Sequence, residues 1–301
     1  MNLAVIDLGS NTFHLLLAEV VSTGFVEIHR ERIFVGLAEG GIATIRPAAI
    51  VRAQQAIQQL ADTVQAYEID QLRIVGTAAL RSAQNGYIIN DAVRDVFGQD
   101  IEIISGIREA ELIYKGIQLL SEVTDDTQLI IDIGGGSTEF ILVAKGELLW
   151  SQSFNIGVAV LHELFHKSEP ISAADVAKMD RFLEHELQPL ALQLAQHTVH
   201  ELVGASGSFE VMATMAGRPV ELDQLQTFTV DNFYAAEELV VAADYEQRLR
   251  LEGMPASRVK LIVVAFLLIR YVVRLSGCKS ISISPYALKE GLIAETMQRI
   301  N

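Results

Sequence analysis

The stretch Leu129-Ile-Ile-Asp132-Ile-Gly134-Gly-Gly136-Ser-Thr-Glu139-Phe-Ile-Leu-Val143 organises the chain. An apolar run ends at Asp132, three glycines and two hydroxyls follow, and a second apolar run begins after Glu139. Two aliphatic runs joined by a short glycine-rich turn predict a β-hairpin. Glycines let the backbone approach a ligand closely and turn its N–H groups outward, which suits phosphate oxygens. The hydroxyls of Ser137 and Thr138 add donors. The carboxylates of Asp132 and Glu139 repel phosphate directly, but they can hold a hydrated dication against it or handle water. An ordinary tight hairpin is the plainer reading of the same residues.

The N-terminus repeats the phrase. Ala4-Val-Ile-Asp7-Leu-Gly9-Ser-Asn-Thr-Phe-His14-Leu-Leu-Leu17 runs in the same order: apolar strand, Asp, apolar residue, Gly, small polar residues, apolar strand. Such an internal repeat constrains the architecture to two related domains. Each half then starts with three strands, expected near 3–6, 13–20 and 25–35 and near 128–132, 138–144 and 147–154, with a turn at Ser22-Thr-Gly24. Alternating helices and strands follow. Helices are expected over 47–67, 87–97, 107–120, 157–165, 231–250, 258–275 and 286–299, and short strands near 72–75, 101–104, 201–203 and 280–284. Ser172 is expected to cap a further helix, with Asp175 at its third position as the partner of a capping box. The acidic, polar segment 122–127 marks a boundary, giving domains at 1–122 and 123–301; the last helix can pack back on the first domain. An antiparallel start continued by parallel strands makes each half a mixed α/β sheet. The two phosphate hairpins and the turn Gly204-Ala-Ser206-Gly207-Ser208 match the actin-like (ribonuclease H-like, ASKHA) architecture, two related domains flanking a cleft.

Composition bounds the rest. Half of the 301 residues are hydrophobic, so the chain builds cores rather than remaining disordered. A formal net charge of −15 argues against nucleic acid and anionic membrane as partners. The one cysteine, Cys278, reads as a small buried hydrophobe. No basic leader precedes the first strand, and the apolar run Leu261–Ile269 is too short to span a bilayer, so cytoplasm is the expected compartment.

Several residues could carry chemistry. Asp7, Ser10, Asn11 and Thr12 of the first hairpin and Asp132, Gly134, Gly135, Gly136, Ser137, Thr138 and Glu139 of the second would meet at one phosphate site, with Asp7, Asp132 and Glu139 as metal-facing acids. Ser206, Gly207 and Ser208 open a helix and offer it as an anion site. Arg81 follows a strand in the loop after Thr77; its planar fork matches phosphate oxygens, although a surface charge is equally open. Glu109 sits in the first turn of the helix after Ser105. It is either a carboxylate that complements the helix dipole or a general base for water attacking a terminal phosphate. Glu111, two residues on, points elsewhere and reads as solvated. His162 and His166, at i and i+4, read as a helix surface with no third ligand to complete a zinc site.

These motifs together resemble the exopolyphosphatase/guanosine pentaphosphate phosphohydrolase (Ppx/GppA) family in its short two-domain form. The carriers are Ile6-Asp-Leu-Gly-Ser-Asn-Thr-Phe-His14, Gly76-Thr-Ala-Ala-Leu-Arg81, Ser105-Gly-Ile-Arg-Glu-Ala-Glu-Leu-Ile-Tyr114 and Ile131-Asp-Ile-Gly-Gly-Gly-Ser-Thr-Glu139. The resemblance implies release of terminal phosphate from inorganic polyphosphate or guanosine pentaphosphate, with Mg²⁺ or another divalent cation. It places the water-activating base on Glu109, a second catalytic acid on Glu139 beside Asp132, and phosphate contacts on Ser10, Asn11, Arg81, Ser137 and Thr138. Departures fall at Val160, Ser208, Lys260 and Ala287. The chain stops after the two expected domains, without the C-terminal helical region of longer members, which weakens an expectation of high processivity. The reading admits a homodimer and leaves the oligomeric state open. An ATP-dependent small-molecule kinase of the same fold and a non-catalytic phosphate- or nucleotide-binding regulator are the competing functional classes.

Overall fold

The structure, a computed structural model, describes residues 1–22, 24–120 and 124–300. Thr23 of the expected turn and the expected boundary at 122/123 lie outside the described residues. The chain divides into two compact units. The first comprises Met1–Leu119, Gly134–Ser137 and Tyr286–Asn301, and the second Leu120–Ile133 and Thr138–Pro285.

In the first unit β1 (Asn2–Leu8), β2 (Thr12–Val21) and β3 (Gly24–Phe34) form an antiparallel meander. Pro47, at the first helical position, opens α1 (Pro47–Gln65), where its missing N–H costs nothing. Strand β4 (Gln71–Gly76) then pairs parallel to β1. It leads into a five-residue helix α2 (Ala78–Ser82) and into α3 (Tyr87–Phe97), which stops at a left-handed Gly98. A two-residue strand β5 (Glu102–Ile103), parallel to β4, completes the sheet in the order β3-β2-β1-β4-β5. Ser105 caps α4 (Gly106–Gln118) by accepting from Arg108 N. Ala4, Ile6 and Leu8 of β1 share a core with Ala53 and Ile57 of α1 and with Ile89 and Val93 of α3. The alternate residues Leu3 and Val5 are equally buried. Both faces of the sheet are therefore covered, which is why these strands read as unbroken apolar runs.

The second unit repeats the plan. Antiparallel β6 (Thr127–Ile133), β7 (Thr138–Ala144) and β8 (Glu147–Phe154) are followed by α5 (Val158–Phe165), α6 (Ala173–Glu186) and α7 (Gln188–Leu194). Strand β9 (Glu201–Gly204) runs parallel to β6 and ends at α8 (Gly207–Met215). An edge strand β10 (Gln226–Thr229), which the sequence reading did not anticipate, precedes α9 (Val230–Ala242), α10 (Tyr245–Arg248) and α11 (Ile262–Ser276). Strand β11 (Ser280–Ile283), parallel to β9 and antiparallel to β10, completes the order β10-β11-β9-β6-β7-β8. Reading β8-β7-β6-β9-β11 against β3-β2-β1-β4-β5 gives the same five-strand plan twice. Both units thus carry the mixed sheet of the actin-like α/β class. Helix α11 is apolar along most of its length because it is the buried core helix of the second unit. No helix among the described residues is long and apolar enough to cross a membrane. The chain closes with α12 (Leu288–Ile300), which lies against β1, β2 and β3 beside α4 in the first unit.

Three local expectations need correcting. The single helix expected over 231–250 is two helices, because Ala243 turns extended and Asp244 starts α10 with its own capping box. The helix expected from 258 starts at Ile262. Ser172 caps α6 as expected, but the Asp175 side chain accepts the Ser172 hydroxyl and pairs with Lys178 at 2.8 Å instead of reaching back to the cap backbone.

Candidate active site

The two repeated hairpins place their acids in matched registers. Asp7 faces His14 across β1–β2, and Asp132 faces Glu139 across β6–β7. The loops after them are alike: a Cβ on Gly9 would sit 2.7 Å from the carbonyl oxygen of Thr12, and one on Gly134 would sit 3.1 Å from that of Ser137. Gly134 N also donates to Ser137 O at 3.0 Å, closing the turn. The first loop is tied down by Val35 N and Gly36 N donating to Asn11 O, and by Ala38 N donating to Ser10 O.

The turn Gly134–Ser137 belongs to the first unit, where it meets Ser10 and Asn11. A Cβ on Gly135 would lie 2.5 Å from Asn11 Cγ; one on Gly136 would lie 2.8 Å from Ser10 Oγ and 3.2 Å from Ala78 Cβ. Only glycine admits that approach. The junction is buried: Ser10 is 5% exposed and Ser137 2%. Asn11 Oδ1 is buried and has no hydrogen-bond partner among the described residues.

Helix α2 connects this corner to Glu109. At its start, Ala79 N donates to Ser10 Oγ at 3.0 Å. Near its end, Arg81 Nη1 donates to Glu109 Oε2 at 3.1 Å and to Ile104 O at 2.8 Å. The sequence reading put Arg81 in a loop; it is helical, one turn after Thr77, whose carbonyl accepts the Arg81 N–H. Glu109, on the first turn of α4, is only 7% exposed. Its burial and its guanidinium partner go beyond what complementing the helix dipole requires. Glu111 is exposed and meets Arg108 at 3.4 Å, as a solvated acid should.

The remaining candidates lie in the second unit. Glu139 is buried, and Ser153 Oγ of β8, its cross-strand partner, donates to its Oε1 at 2.7 Å. Ser153 was not singled out from sequence; its place opposite Glu139 emerges only with the register. Thr138 is fully buried and gives its hydroxyl to Ile156 O at 3.2 Å. Ser206 Oγ, before α8, is buried without a partner among the described residues, and Ser208 is buried in the first turn. The guanidinium of Arg258, also passed over in the sequence, lies on Gly207: a Cβ there would be 2.0 Å from Arg258 Nη2. A helix N-terminus beside an arginine is a corner suited to an anion.

Among the described residues no three His, Cys, Asp or Glu side chains converge as a metal cage. The adjacent carboxylates of Asp132 and Glu139 nevertheless fit a hard dication. Like charges directly opposite each other are unfavourable unless a cation lies near, and Mg²⁺ keeps most of its water and needs only one or two protein carboxylates. The histidine pair departs from expectation. His162-Glu-Leu-Phe-His166 has H-E-x-x-H spacing, yet α5 ends at Phe165 and His166 is buried, 3.4 Å from Glu169 and with ring centroids 5.0 Å from His162. Burial pushes His162 down to about 4, assisted by His166 and Lys260, and burial also lowers His166. His166 is thus buried and His162 half-buried, and only the first of the two rings lies within the helix.

Comparison with known proteins bears on this geometry. A sequence profile of the Ppx/GppA phosphatase family matches residues 16–300. The crystal structure of an exopolyphosphatase from Cytophaga hutchinsonii is 32% identical and superposes with a TM-score of 0.94, covering 100% of this chain and 99% of that one. The guanosine-5'-triphosphate,3'-diphosphate pyrophosphatase of Aeromonas salmonicida is 30% identical over 96% of this chain, and that of Vibrio parahaemolyticus 27% identical over 99%. The chain spans 58% and 59% of the lengths of these two pyrophosphatases.

Proposed function

The chain belongs to the Ppx/GppA phosphatase family, a family of phosphoanhydride hydrolases, and from that premise we propose that it releases terminal orthophosphate from inorganic polyphosphate, guanosine pentaphosphate or both. The observation that carries the reading is helix α2. It joins the Ser10–Gly136 corner at one end to the Arg81–Glu109 pair at the other.

The terminal phosphoryl group binds against the loop of Ser10, Asn11 and Thr12 and the turn of Gly134, Gly135, Gly136 and Ser137. There, backbone N–H groups and hydroxyls meet its oxygens, and Thr138 fixes the base of the turn. Phosphoryl transfer asks little covalent chemistry of a protein. It asks for positioning and for charge stabilisation on the transferred group. Glu109, oriented by Arg81, takes a proton from the attacking water as its oxygen approaches phosphorus opposite the leaving phosphate. Asp132 and Glu139 would hold Mg²⁺ or a similar dication, with Asp7, the matching acid of the first hairpin, as the further candidate ligand; the ion would supply positive charge to the phosphate oxygens. Ser153 fixes the Glu139 carboxylate in that task. Ser206, Gly207 and Ser208 with Arg258 form an anion-binding corner of the second unit for an anionic part of the substrate.

The test is orthophosphate release by purified protein with Mg²⁺ and each substrate in turn, beside a Glu109→Gln variant. The variant is expected to lose at least about a hundredfold in kcat, the usual contribution of a positioned general base. Near-normal turnover in the variant would sink the assignment of Glu109.

A further inference from the structure

Glu295, on α12, lies far from Glu109 in sequence yet grips both elements on which Glu109 depends. Its Oε2 accepts from Arg73 Nη1 of β4 at 2.8 Å, and its Oε1 accepts from Arg108 Nη2 of α4. Lys115 and Arg299 approach the same carboxylate at 3.8 and 3.5 Å. Arg73 also meets Glu102 of β5 at 3.0 Å, and Arg108 meets Glu111. Glu295 is 8% exposed, so these bonds are shielded from competing water.

The two arginines are placed tellingly. Arg73 is on the strand that leads into α2, and α2 carries Arg81. Arg108 precedes Glu109 in the first turn of α4. One carboxylate therefore binds, from behind, the two arms that meet at the Arg81–Glu109 hydrogen bond. The spacing between α12 and α4 is set by direct backbone contact: a Cβ on Gly291 would sit 1.8 Å from Leu112 O, and one on Gly116 would sit 2.1 Å from Ala287 O. Glu295 is one turn beyond Gly291, on the same side of α12. Close packing fixes the distance between the helices, and the ion bridge fixes their register.

We propose that Glu295 is a positioning residue for hydrolysis, holding the first turn of α4 through Arg108, and β4 through Arg73, so that the Glu109 carboxylate is correctly aimed. The proposal rests on the reading of Glu109 as the base. Glu295 does not touch substrate, so its loss acts on kcat.

The test is a double-mutant cycle on orthophosphate release from polyphosphate with Mg²⁺, using Glu295→Gln, Glu109→Gln and the pair. Glu295→Gln keeps a hydrogen-bonding side chain of the same shape and is expected to lower kcat about tenfold or more, as a sub-ångström misplacement of a reacting group does. KM should stay within about twofold. In the Glu109→Gln background the same substitution should change the residual rate by less than about twofold, since there is no base left to aim. Arg108→Gln should reproduce the kcat loss, and it serves as the reporter if Glu295→Gln does not yield folded protein by circular dichroism. The proposal is overturned if kcat is unchanged, or if Glu295→Gln slows the Glu109→Gln enzyme by the same factor as the wild type, which marks a general structural loss. Full activity in Glu109→Gln alone is a separate result and overturns the base assignment itself.

Discussion

Arg81 does two things with one nitrogen: Nη1 reaches both the Glu109 carboxylate and the carbonyl of Ile104. The second bond fixes the guanidinium and the first fixes the base. Sequence reading expected a phosphate-binding arginine, for which the whole effect of removal falls on binding. The observed pairing adds an effect on chemistry. Arg81→Ala is expected to lower kcat/KM by roughly 30–100-fold, the range for losing a charge-assisted hydrogen bond that leaves a buried partner behind. Part of the loss should appear in kcat. Steady-state phosphate release will show it; a change confined to KM would return Arg81 to a purely substrate-binding role. Arg81→Lys restores the charge but not the fork, and should recover only part of the activity. The individual residue types of this corner were legible, because their motifs are short and contiguous. That Glu109 is buried, and that its partner is Arg81, was not legible, because the two are separated by a helix and a strand.

At the scale of elements, the least visible piece is α2. Five residues are too few for a periodic apolar pattern, and the sequence before it, Gly76-Thr77, reads as loop. By contrast, the packing of α12 on α4 left a trace. A glycine inside a helix costs about 1 kcal/mol relative to alanine, so Gly116 and Gly291 in otherwise regular helices point to a packing reason. The structure supplies it in the contacts with the carbonyls of Ala287 and Leu112. Gly291→Ala should therefore push the helices apart and destabilise the protein by about 2 kcal/mol, in the range for overpacking. The check is a denaturant melt, with Gln298→Ala, on the exposed side of α12, expected to leave the midpoint unchanged. If Gly291→Ala melts like wild type, the helices are not in backbone contact. The break between α9 and α10 was hidden for a different reason. No proline or glycine marks it; the strong cap at Asp244 restarts a helix that composition alone would continue.

For the molecule as a whole, the two units are expected to lose stability at different pH. His162, in the second unit, is held down to about 4 chiefly by burial, against an ordinary value of 6.5. An unfolded chain takes up that proton near pH 6.5 while the folded one refuses it until about 4, so stability falls as pH drops through that window. Glu295, in the first unit, is held at about 2 despite burial, which alone would raise it, because Arg73 and Arg108 bind it. Its contribution is intact above about 4.5 and is lost as pH falls from there towards 2. The single tryptophan, Trp150, lies on β8 of the second unit. Its fluorescence should therefore report a transition at higher pH than the far-ultraviolet circular dichroism of the whole chain, and His162→Asn should shift that first transition downward. Coincident transitions by both probes, unmoved in the variant, would count against this account.

What the sequence by itself determined is the doubled plan: two sheets of strands written as apolar runs, each opened by an acid-and-glycine hairpin, and a family identity spread along the chain in contiguous motifs. These are signals of period and neighbourhood, set within a few residues by backbone geometry and turn chemistry. The sequence left room for the last helix to pack on the first domain; only the tertiary structure decided that the Gly134–Ser137 turn is counted there too, that α2 spans from Ser10 to Glu109, and that Glu295 binds Arg73 and Arg108. Those pairings join residues tens to hundreds of positions apart. They arise because covered sheet faces and glycine-lined helix contacts bring particular side chains within bonding distance, and no local pattern encodes which distant face will meet which.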